Sequence, residues 1–379
     1  ISDFRLTAML IQHTLLLPDG PLTLQRAPGT PVAAEGTAAL LAAARRIVGP
    51  RVFVMGPGIT AAAGWAARAG ARVTVWTENA AEAATLQATF DAARWPPPQL
   101  FLQDDFTGLE PATCDMALLL LPRGRALQNE AWRVAAAMLR PGGRLVFAGA
   151  TREGVDSALP EARNVFGRSN IVVRKGGYHA GLAERPAAGE FPLPEVSYET
   201  HALTLEGAPT VLASTAGVFA PDRLDAGAAA LIAGMRVAAG MRVLELGCGT
   251  GLVTLAARRR GAEVAAVDVS ARAVASTRRT LAANGFPDVP VRLSIGAAAF
   301  AGQRFDAVLA NPPFHQGHGM DFENARLFIA GAREVLSAEG KLYLVANAFL
   351  KYEGALRQHF THVSCIWEDR RFRVWEAGN

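Results

Sequence analysis

Short apolar runs alternate with stretches of helical periodicity along the chain. In the second half, the apolar runs of strand length are residues 241–246, 263–267, 291–294, 307–310 and 341–346. The stretches with helical spacing between them are residues 252–260, 271–284 and 324–336. Buried parallel strands are near-continuous apolar runs, and right-handed crossover helices connect them. The pattern therefore predicts an α/β fold with a mainly parallel, doubly wound sheet.

The first half of the chain repeats the pattern of the second half. Three positions at the ends of apolar runs recur 191 residues later: Gly56, Gly70 and Asp115 correspond to Gly247, Gly261 and Asp306. Farther along, residues 140–146 match residues 337–343 at a spacing of 197, as if six residues had been inserted between the two matches. Self-similarity at a fixed period is the mark of a repeated unit. The sequence predicts an internal duplication that produced two tandem domains of one fold.

The boundary between the two copies is predicted from the residues that break regular structure. Pro186, Gly189, Pro192 and Pro194 fall within a short segment in which no helix or strand is expected. We therefore predict a first domain over residues 1–185, a linker over 186–199 and a second domain over 200–379. Alternation of apolar and polar residues over 200–215 predicts a hairpin ahead of the second sheet.

Composition narrows the class of protein. The 379 residues are 50% hydrophobic, which excludes a disordered chain, and 38 basic against 34 acidic residues give a net charge of +4. This balance is compatible with a nucleic-acid partner. The three cysteines stand far apart, so we expect neither a disulfide framework nor a metal site. No apolar stretch reaches the roughly 18 residues of a membrane span. Residues 1–17 contain charged side chains, unlike a secretory signal, so we expect a cytoplasmic protein.

A glycine-rich loop follows the first predicted strand of the second half and precedes a helix. Glycines at this point permit a tight turn and close approach of the backbone to a ligand. An acidic residue at the end of the next strand is placed to bind ribose hydroxyls. An acidic residue beside the loop disfavours a pyrophosphate and suits a cation, so a ribose-bearing cation such as S-adenosylmethionine fits. The candidate cofactor-binding residues are Glu245, Gly247, Cys248, Gly249, Gly251 and Asp268.

A second motif, Asn311-Pro312-Pro313-Phe314, follows the apolar run 307–310. An exocyclic base amine is a poor nucleophile because its lone pair is delocalised into the ring. The Asn311 side-chain oxygen and the Pro312 carbonyl are candidate acceptors for its N–H groups, and Phe314 offers a ring on which a base can stack. We assign Asn311, Pro312 and Phe314 to catalysis, mainly through positioning. His315 is a further candidate for phosphate binding or proton transfer, although a packing role is also open.

Taken together, these motifs resemble those of the bacterial ribosomal RNA guanine-N2 methyltransferases, and most closely the 16S family. The resemblance is carried by residues 244–251, 311–317 and 344–352, with 218–225 and 371–376 in support. It implies two tandem Rossmann-like, class I methyltransferase domains in a protein that binds ribosomal RNA. Because two fused copies can mimic a dimer within one chain, we expect a monomer. It also implies transfer from S-adenosylmethionine to the 2-amino group of one guanosine, with Asn311 also near the cofactor. The family usually has a polar residue near the adenine, whereas residues 295–299 are apolar here, so Ala297 is expected to contact the adenine by packing.

The candidate residues of the second copy lack chemical counterparts in the first. Glu245, Asp268, Asn311 and Phe314 correspond to Val54, Thr77, Leu120 and Arg123. Glu78, one residue beyond Thr77, is the only substitute acid that the sequence suggests. We therefore predict that the first domain is catalytically inactive and assists RNA binding or structure, with basic residues in 151–175 as candidate phosphate contacts. The arginines at 258–260 and 278–279 are expected to be solvated.

Other functions remain open on the sequence alone. A 23S guanine-N2 methyltransferase is the nearest alternative. Asn-Pro-Pro-aromatic loops also serve methyltransferases that act on DNA adenine or protein glutamine, because each substrate presents a planar amine or amide. A protein of a different class, which binds RNA during ribosome assembly and has no activity, is the non-enzyme alternative.

Overall fold

The computed structural model describes the whole chain apart from residues 1–10, 18–19, 28–29, 31–32, 34–35, 47–48, 313–317 and 351. The chain divides into two compact units between Val196 and Ser197. Below, the first unit denotes the part of the chain up to Val196, and the second unit denotes residues 197–379.

The first unit contains nine strands and five α-helices within its described residues. In chain order they are β1 (Ile11–Leu17), β2 (Gly20–Arg26), α1 (Thr37–Ala44), β3 (Arg51–Met55), α2 (Ile59–Arg68), β4 (Arg72–Thr77), α3 (Ala80–Ala93), β5 (Gln99–Leu102), β6 (Cys114–Leu120), α4 (Arg125–Met138), β7 (Leu139–Ala150), α5 (Val155–Phe166), β8 (Ser169–Lys175) and β9 (Tyr178–Glu184). A 3₁₀ turn over Thr151–Glu153 precedes α5.

The second unit has the same succession of elements in the residues that the structure describes. In chain order they are β10 (Glu199–Leu205), β11 (Ala208–Ser214), α6 (Ala226–Gly234), β12 (Arg242–Leu246), α7 (Leu252–Arg259), β13 (Glu263–Asp268), α8 (Ala271–Ala283), β14 (Val291–Leu293), β15 (Phe305–Ala310), α9 (His318–Val335), β16 (Leu336–Asn347), α10 (Tyr352–Arg357), β17 (His362–Glu368) and β18 (Phe372–Gly378). A 3₁₀ turn over Ala298–Phe300 follows β14.

Each unit is built on a seven-stranded sheet, and the two sheets have the same topology. The strand orders are β5-β4-β3-β6-β7-β9-β8 in the first unit and β14-β13-β12-β15-β16-β18-β17 in the second. Five neighbouring strands are parallel, and the last two join antiparallel at one edge. The predicted fold class, two tandem Rossmann-like domains, is confirmed.

Hydrogen bonds also repeat at the spacing of 191 residues. Asp115 Oδ2 accepts from the backbone N–H of Arg51 at 3.0 Å, and Asp306 Oδ2 accepts from that of Arg242 at 2.8 Å. In both units a threonine of the second crossover helix, Thr89 or its counterpart Thr280, bonds the antiparallel hairpin that precedes the sheet. The duplication therefore extends to the contacts that dock the hairpin on the domain.

The two copies differ in length where the fourth parallel strand of the sheet leads into its helix. Helix α4 has 14 residues and its counterpart α9 has 18. The strands that follow these helices begin at Leu139 and Leu336, which are 197 residues apart. This agrees with the spacing of 197 between the matching residues 140–146 and 337–343 of the sequence. The additional residues of the second copy therefore lie between the end of β15 and the end of α9, the stretch that begins at the Asn-Pro-Pro-Phe motif.

The first unit extends beyond the predicted boundary at residue 185. Residues 185–198 form neither helix nor strand, but Phe191, Leu193 and Val196 pack against the core that also contains Trp132 and Phe147. The Arg185 guanidinium lies over the Phe191 ring at 4.8 Å. Apolar side chains thus anchor most of the segment predicted as a linker to the first unit, which moves the boundary to residue 196.

Apolar residues cover both faces of the second sheet. Leu231, Leu255 and Leu281 from helices α6, α7 and α8 belong to the core on one face. Ile329 and Tyr352 from α9 and α10 belong to the core on the other. The helices thus bury the sheet and leave its carboxyl edge to the loops. None of the helices in the described part of the chain is long and apolar enough to cross a membrane.

The docking of the β10–β11 hairpin depends on the Thr280 hydroxyl. This buried hydroxyl accepts from the N–H of Ala213 and donates to its carbonyl, both at 3.1 Å. We expect Thr280→Val to lower the free energy of unfolding by about 1–3 kcal/mol, because it leaves buried polar groups without a partner. Thr280→Ser keeps the hydroxyl and should lower the free energy of unfolding by less than Thr280→Val does. Chemical denaturation measures both, and a Val variant as stable as the wild type would contradict this role.

Candidate functional site

Three adjacent strands of the second sheet end at the same level. Leu246, at the end of β12, pairs with Val267 of β13 on one side and with Ala310 of β15 on the other. The residues that follow these strands therefore share one edge of the sheet. They are the glycine loop after β12, Asp268 at the end of β13 and Asn311 after β15. This is the edge at which ligands bind in open α/β sheets.

The glycine loop is tied to strand β13 and leaves one face open. The N–H groups of Gly247 and Cys248 donate to the Val267 carbonyl at 2.9 and 3.0 Å. Gly251 has φ +83°, and a Cβ atom there would lie 2.9 Å from the Thr277 side chain, so only glycine fits. Gly249 has φ +55°, but no atom lies within 4 Å of its Cβ position. The open side at Gly249 permits a ligand to approach the backbone.

Asp268 holds the loop and keeps acceptor capacity. Its Oδ2 accepts from Gly249 N–H and its Oδ1 accepts from Ser270 N–H, both at 2.9 Å. Burial raises the pKa of this carboxyl, while the backbone hydrogen bonds lower it. A carboxylate offers about four lone-pair sites, and two are occupied here. The remaining sites suit the two hydroxyl groups of a ribose.

Glu245 and Cys248 are both buried beside the loop. The Glu245 carboxyl accepts from the Thr254 hydroxyl of helix α7, and its burial raises its pKa to about 8. Burial also raises the pKa of the Cys248 thiol well above its usual value. Cys248 is therefore an unreactive packing residue that contributes its backbone to the loop. The Glu245 carboxyl points into the domain, and its contact with a cofactor stays a prediction.

Asn311 is half-buried and makes one side-chain hydrogen bond with a distant residue. Its amide nitrogen Nδ2 donates to Oδ2 of Asp225 at 3.2 Å. Pro312 is buried directly after it. The predicted residues Phe314 and His315 lie outside the described residues, so their assignments stay predictions.

Ala297 lies at the start of the 3₁₀ turn that follows β14. It is buried in the core formed by β15, β16 and α9, and Gly331 of α9 lies close to it. Ser294 steadies this turn, because its N–H donates to the Asp268 carbonyl at 2.8 Å and its hydroxyl accepts from Ala299 N–H at 3.0 Å. The loop that carries Ala297 is therefore joined to Asp268, and its adenine contact remains a prediction.

Three residues at the site were not singled out from the sequence. Asp225 caps helix α6 and bonds Asn311. Thr277 of α8 donates to the Gly249 carbonyl at 3.0 Å. Arg272 of α8 is fully buried and donates to the Ala216 carbonyl at 3.3 Å, which joins the segment before α6 to α8. Asp225 ends the segment 218–225 that supports the family resemblance, and it directly precedes the Ala-rich stretch that forms α6, a common N-cap pattern.

The first unit has a different acid at its glycine loop from the one predicted. Glu82, and not Glu78, accepts from Gly58 N–H at 2.7 Å and from the Thr77 hydroxyl at 3.2 Å. Gly58 corresponds to Gly249, so Glu82 takes the place of Asp268. It can do so because a longer side chain, one turn into helix α3, reaches back to the loop. Its carboxyl is buried, and burial raises its pKa to about 7.

Apolar side chains occupy the first unit at the positions that carry candidate chemistry in the second. Phe106 corresponds to Ala297 and is 3% exposed, with its ring centroid 4.9 Å from that of Trp76. Val54 and Leu120, the counterparts of Glu245 and Asn311, are both in the core. The first copy thus has a packed apolar interior at the positions that carry candidate chemistry in the second.

Within the described residues, no group of three or more His, Cys, Asp or Glu side chains is arranged to hold a metal ion.

Sequence comparisons place the chain near ribosomal RNA methyltransferases. The family described as "Methyltransferase small domain" matches residues 210–376. A ribosomal RNA small subunit methyltransferase C of Stutzerimonas stutzeri is 34% identical over 265 residues, which are 69% of this chain and 79% of that protein. The protein of the same name from Chromohalobacter salexigens is 36% identical over 271 residues, 69% of this chain and 77% of that protein.

A solved structure is similar over almost the whole chain. It is the 16S rRNA N2 methyltransferase of T. thermophilus in complex with AdoMet and guanosine. It matches with a TM-score of 0.80 and 27% sequence identity, over 97% of this chain and 98% of that one. The likeness therefore includes both copies of the duplicated fold.

Glu245 should make the stability of the chain depend on pH. A carboxyl with a pKa near 8 in the folded chain, but an ordinary pKa of 4.5 when unfolded, opposes folding increasingly as pH rises from 4.5 to 8. We expect Glu245→Gln to remove this contribution. The free energy of unfolding of the variant minus that of the wild type should therefore rise by at least about 1 kcal/mol between pH 5 and pH 8.

Chemical denaturation at the two pH values measures this difference. Glu339→Gln, at an exposed glutamate of β16, is the matched control and should follow the wild type. Equal pH dependence of the Glu245 variant and the wild type would show that this carboxyl is ionised in the folded chain.

Proposed function

The chain belongs to the ribosomal RNA small subunit methyltransferase C family, and we propose that its second unit methylates the exocyclic N2 amine of a guanosine in 16S ribosomal RNA, with S-adenosylmethionine as donor. The observation that carries the proposal is the single edge shared by the open glycine loop, Asp268 and Asn311. A donor site and an amine-binding side chain thereby lie at the ends of adjacent strands.

The residues at this edge fit the donor. The open face of Gly249 permits close approach, and the free acceptor sites of Asp268 match the ribose hydroxyls. S-adenosylmethionine supplies its methyl group as an electrophile on a sulfonium. We propose that Gly247, Gly249 and Asp268 hold it, with Cys248 and Gly251 shaping the loop.

The chain activates the amine by orienting it. We propose that the Asn311 side-chain oxygen and the Pro312 carbonyl accept the two N2–H groups, so that the nitrogen lone pair turns towards the methyl carbon. Proline lacks an N–H, so Pro312 presents an acceptor without a competing donor. Phe314 is proposed to stack on the guanine, and His315 to contact phosphate or accept the proton. Such catalysis depends on alignment more than on a strong base, and no step in it requires a metal.

The first unit is proposed to be an inactive copy that contributes to RNA binding. The counterparts of Glu245 and Asn311 are the core residues Val54 and Leu120, and the bulky Phe106, packed on Trp76, takes the position of Ala297. Five basic side chains along the 3₁₀ turn, α5 and the edge strand β8 are exposed: Arg152, Arg163, Arg168, Arg174 and Lys175. Such side chains suit contacts with phosphate, which position RNA without reading its sequence.

The substrate and setting follow from the family. The T. thermophilus protein acts on the guanosine at position 1207 of 16S rRNA, and we propose the corresponding nucleotide for this chain. A 16S substrate places the reaction in the cytoplasm. Because one chain already contains two copies of the fold, we propose that it acts as a monomer.

Cofactor binding should occur once in each chain. Calorimetric titration of the full chain with S-adenosylmethionine is expected to give one site, because only in the second unit does the sequence keep Glu245, Asp268 and Asn311, whose first-copy counterparts are Val54, Thr77 and Leu120. Asp268→Ala should weaken binding at least 10-fold, and Glu82→Gln, at the equivalent place in the first unit, should leave it within twofold. Two sites per chain, or loss of binding in the Glu82 variant, would contradict an inactive first unit.

Asn311 should be required for methyl transfer but not for binding of the donor. We expect Asn311→Ala to lower the rate of methyl transfer by about 10³-fold, since the amine loses an acceptor in the transition state, and to change the dissociation constant of S-adenosylmethionine less than threefold. Rates with labelled donor and calorimetry measure the two quantities. An Asn311→Ala enzyme with more than a tenth of the wild-type rate would contradict the mechanism.

The substrate class is tested by offering labelled donor with small subunits, 16S rRNA, 23S rRNA, DNA and release-factor protein in parallel. We expect label in 16S rRNA, free or within the subunit, as N2-methylguanosine at the position that corresponds to 1207. Label confined to 23S rRNA, DNA or protein would favour the corresponding alternative enzyme. No transfer to any substrate, with RNA binding intact, would favour an assembly factor.

A further inference from the structure

We propose that Asp225 is a positioning residue for methyl transfer, which acts by fixing the orientation of the Asn311 side-chain amide. This inference rests on the proposed function of Asn311. Asp225 lies 86 positions earlier in the chain, in the segment between the β10–β11 hairpin and helix α6. Its carboxylate determines which end of the amide faces the substrate.

The contact is made by one oxygen of the carboxylate. Asp225 Oδ2 accepts from Asn311 Nδ2 at 3.2 Å and from the backbone N–H of Ala228 at 3.0 Å. The second bond caps the N-terminus of α6, which fixes the carboxylate relative to the helix. The backbone of α6 therefore holds the group that in turn holds Asn311.

A carboxylate is well suited to orient an amide. The oxygen and nitrogen ends of an asparagine side chain have nearly the same shape, so packing alone does not choose between the two orientations. An ionised carboxylate only accepts hydrogen bonds, so it selects the nitrogen end. The oxygen Oδ1 is then left for another donor. A guanine N2 amine presents N–H donors. If the Asn311 amide were reversed, its NH₂ group would face the amine, and two donors cannot form a hydrogen bond.

The packing around the pair leaves no room for a side chain at Gly227. A Cβ atom there would lie 2.9 Å from Asp225 Oδ2 and 3.0 Å from Asn311 Oδ1. Gly227 has no positive φ, so the backbone conformation does not require glycine. A side chain at Gly227 would therefore press on the Asp225–Asn311 pair.

The duplicated copy provides an independent observation. Asp225 corresponds to Ala34 in the sequence of the first copy, just as Asn311 corresponds to Leu120. By the same spacing, helix α1 begins two positions later than α6, at Thr37 after Gly36, and it has no side-chain cap. The corresponding helix therefore forms without a capping acid. The aspartate is absent in the copy that lacks the asparagine, as expected if the two act together.

The test separates the two roles of Asp225 by substitution. Serine is as good an N-cap as aspartate but is shorter and uncharged, so Asp225→Ser keeps the cap and removes the carboxylate from Asn311. We expect a 10- to 100-fold lower single-turnover rate at saturating donor and RNA, with both dissociation constants within twofold of the wild type and the melting temperature within a few degrees. Asp225→Asn keeps an acceptor oxygen and should recover part of the rate.

Two further variants complete the experiment. Gly227→Ala keeps both Asp225 and Asn311 in the sequence but should lower the rate similarly, because its Cβ displaces the pair. Asp222→Ser removes an exposed acid of the same segment, bonded to Arg223, and should match the wild type. An Asp225→Ser rate within threefold of the wild type, or a loss that saturating substrates restore, would overturn the inference. A wild-type enzyme that places no label on guanosine N2 would instead contradict the proposed function.

Discussion

The parallel pairing of β12 with β13 and β15 is the constraint on which the site depends. Because Leu246 pairs with both Val267 and Ala310, all three strands end together. This register brings residues that are far apart in the chain, Asp268 and Asn311, to one edge beside the glycine loop. A shift of any strand would separate the carboxylate proposed to bind the donor from the amide proposed to bind the amine. The apolar layers on both faces of the sheet fix the register, since the strands are buried on both sides.

The duplication separates the requirements of the fold from those of the chemistry. Both copies keep the strand order, the hairpin docked by a threonine and the aspartate that caps the start of the central strand. The first copy lacks counterparts of Asp268, Asn311 and Asp225 in its sequence and holds its loop with Glu82. The residues that only the second copy has are those that we propose for the reaction. The extra length of the second copy also begins at the Asn-Pro-Pro-Phe motif, next to the proposed substrate.

The sequence predicted most of the fold because local patterns determine it. Apolar runs such as 263–267 form strands nearly as predicted, and the alternating residues 200–215 form the β10–β11 hairpin.

Contacts between side chains that are distant in the sequence could not be predicted from such patterns. The acid of the first copy is Glu82 on a helix, not Glu78 at the strand end, because a turn of helix brings it back to the loop. Likewise, Arg259 and Arg260 were expected in solvent but bond Thr210 and Glu206 of the hairpin. The predicted glycine loop, Asp268 and Asn311 do lie at one edge, but the orientation of Asn311 depends on a contact with Asp225 that no periodicity reveals.

The shared edge of the second sheet is tested most directly by a crystal structure of the chain with S-adenosylhomocysteine and a guanosine-containing oligonucleotide. We expect the donor product on the second unit, with its ribose on Asp268. We also expect the guanine N2 within about 3.2 Å of Asn311 Oδ1, with Asn311 Nδ2 still on Asp225. A guanine amine bound away from Asn311, or a donor product held by the first unit alone, would contradict the proposed site.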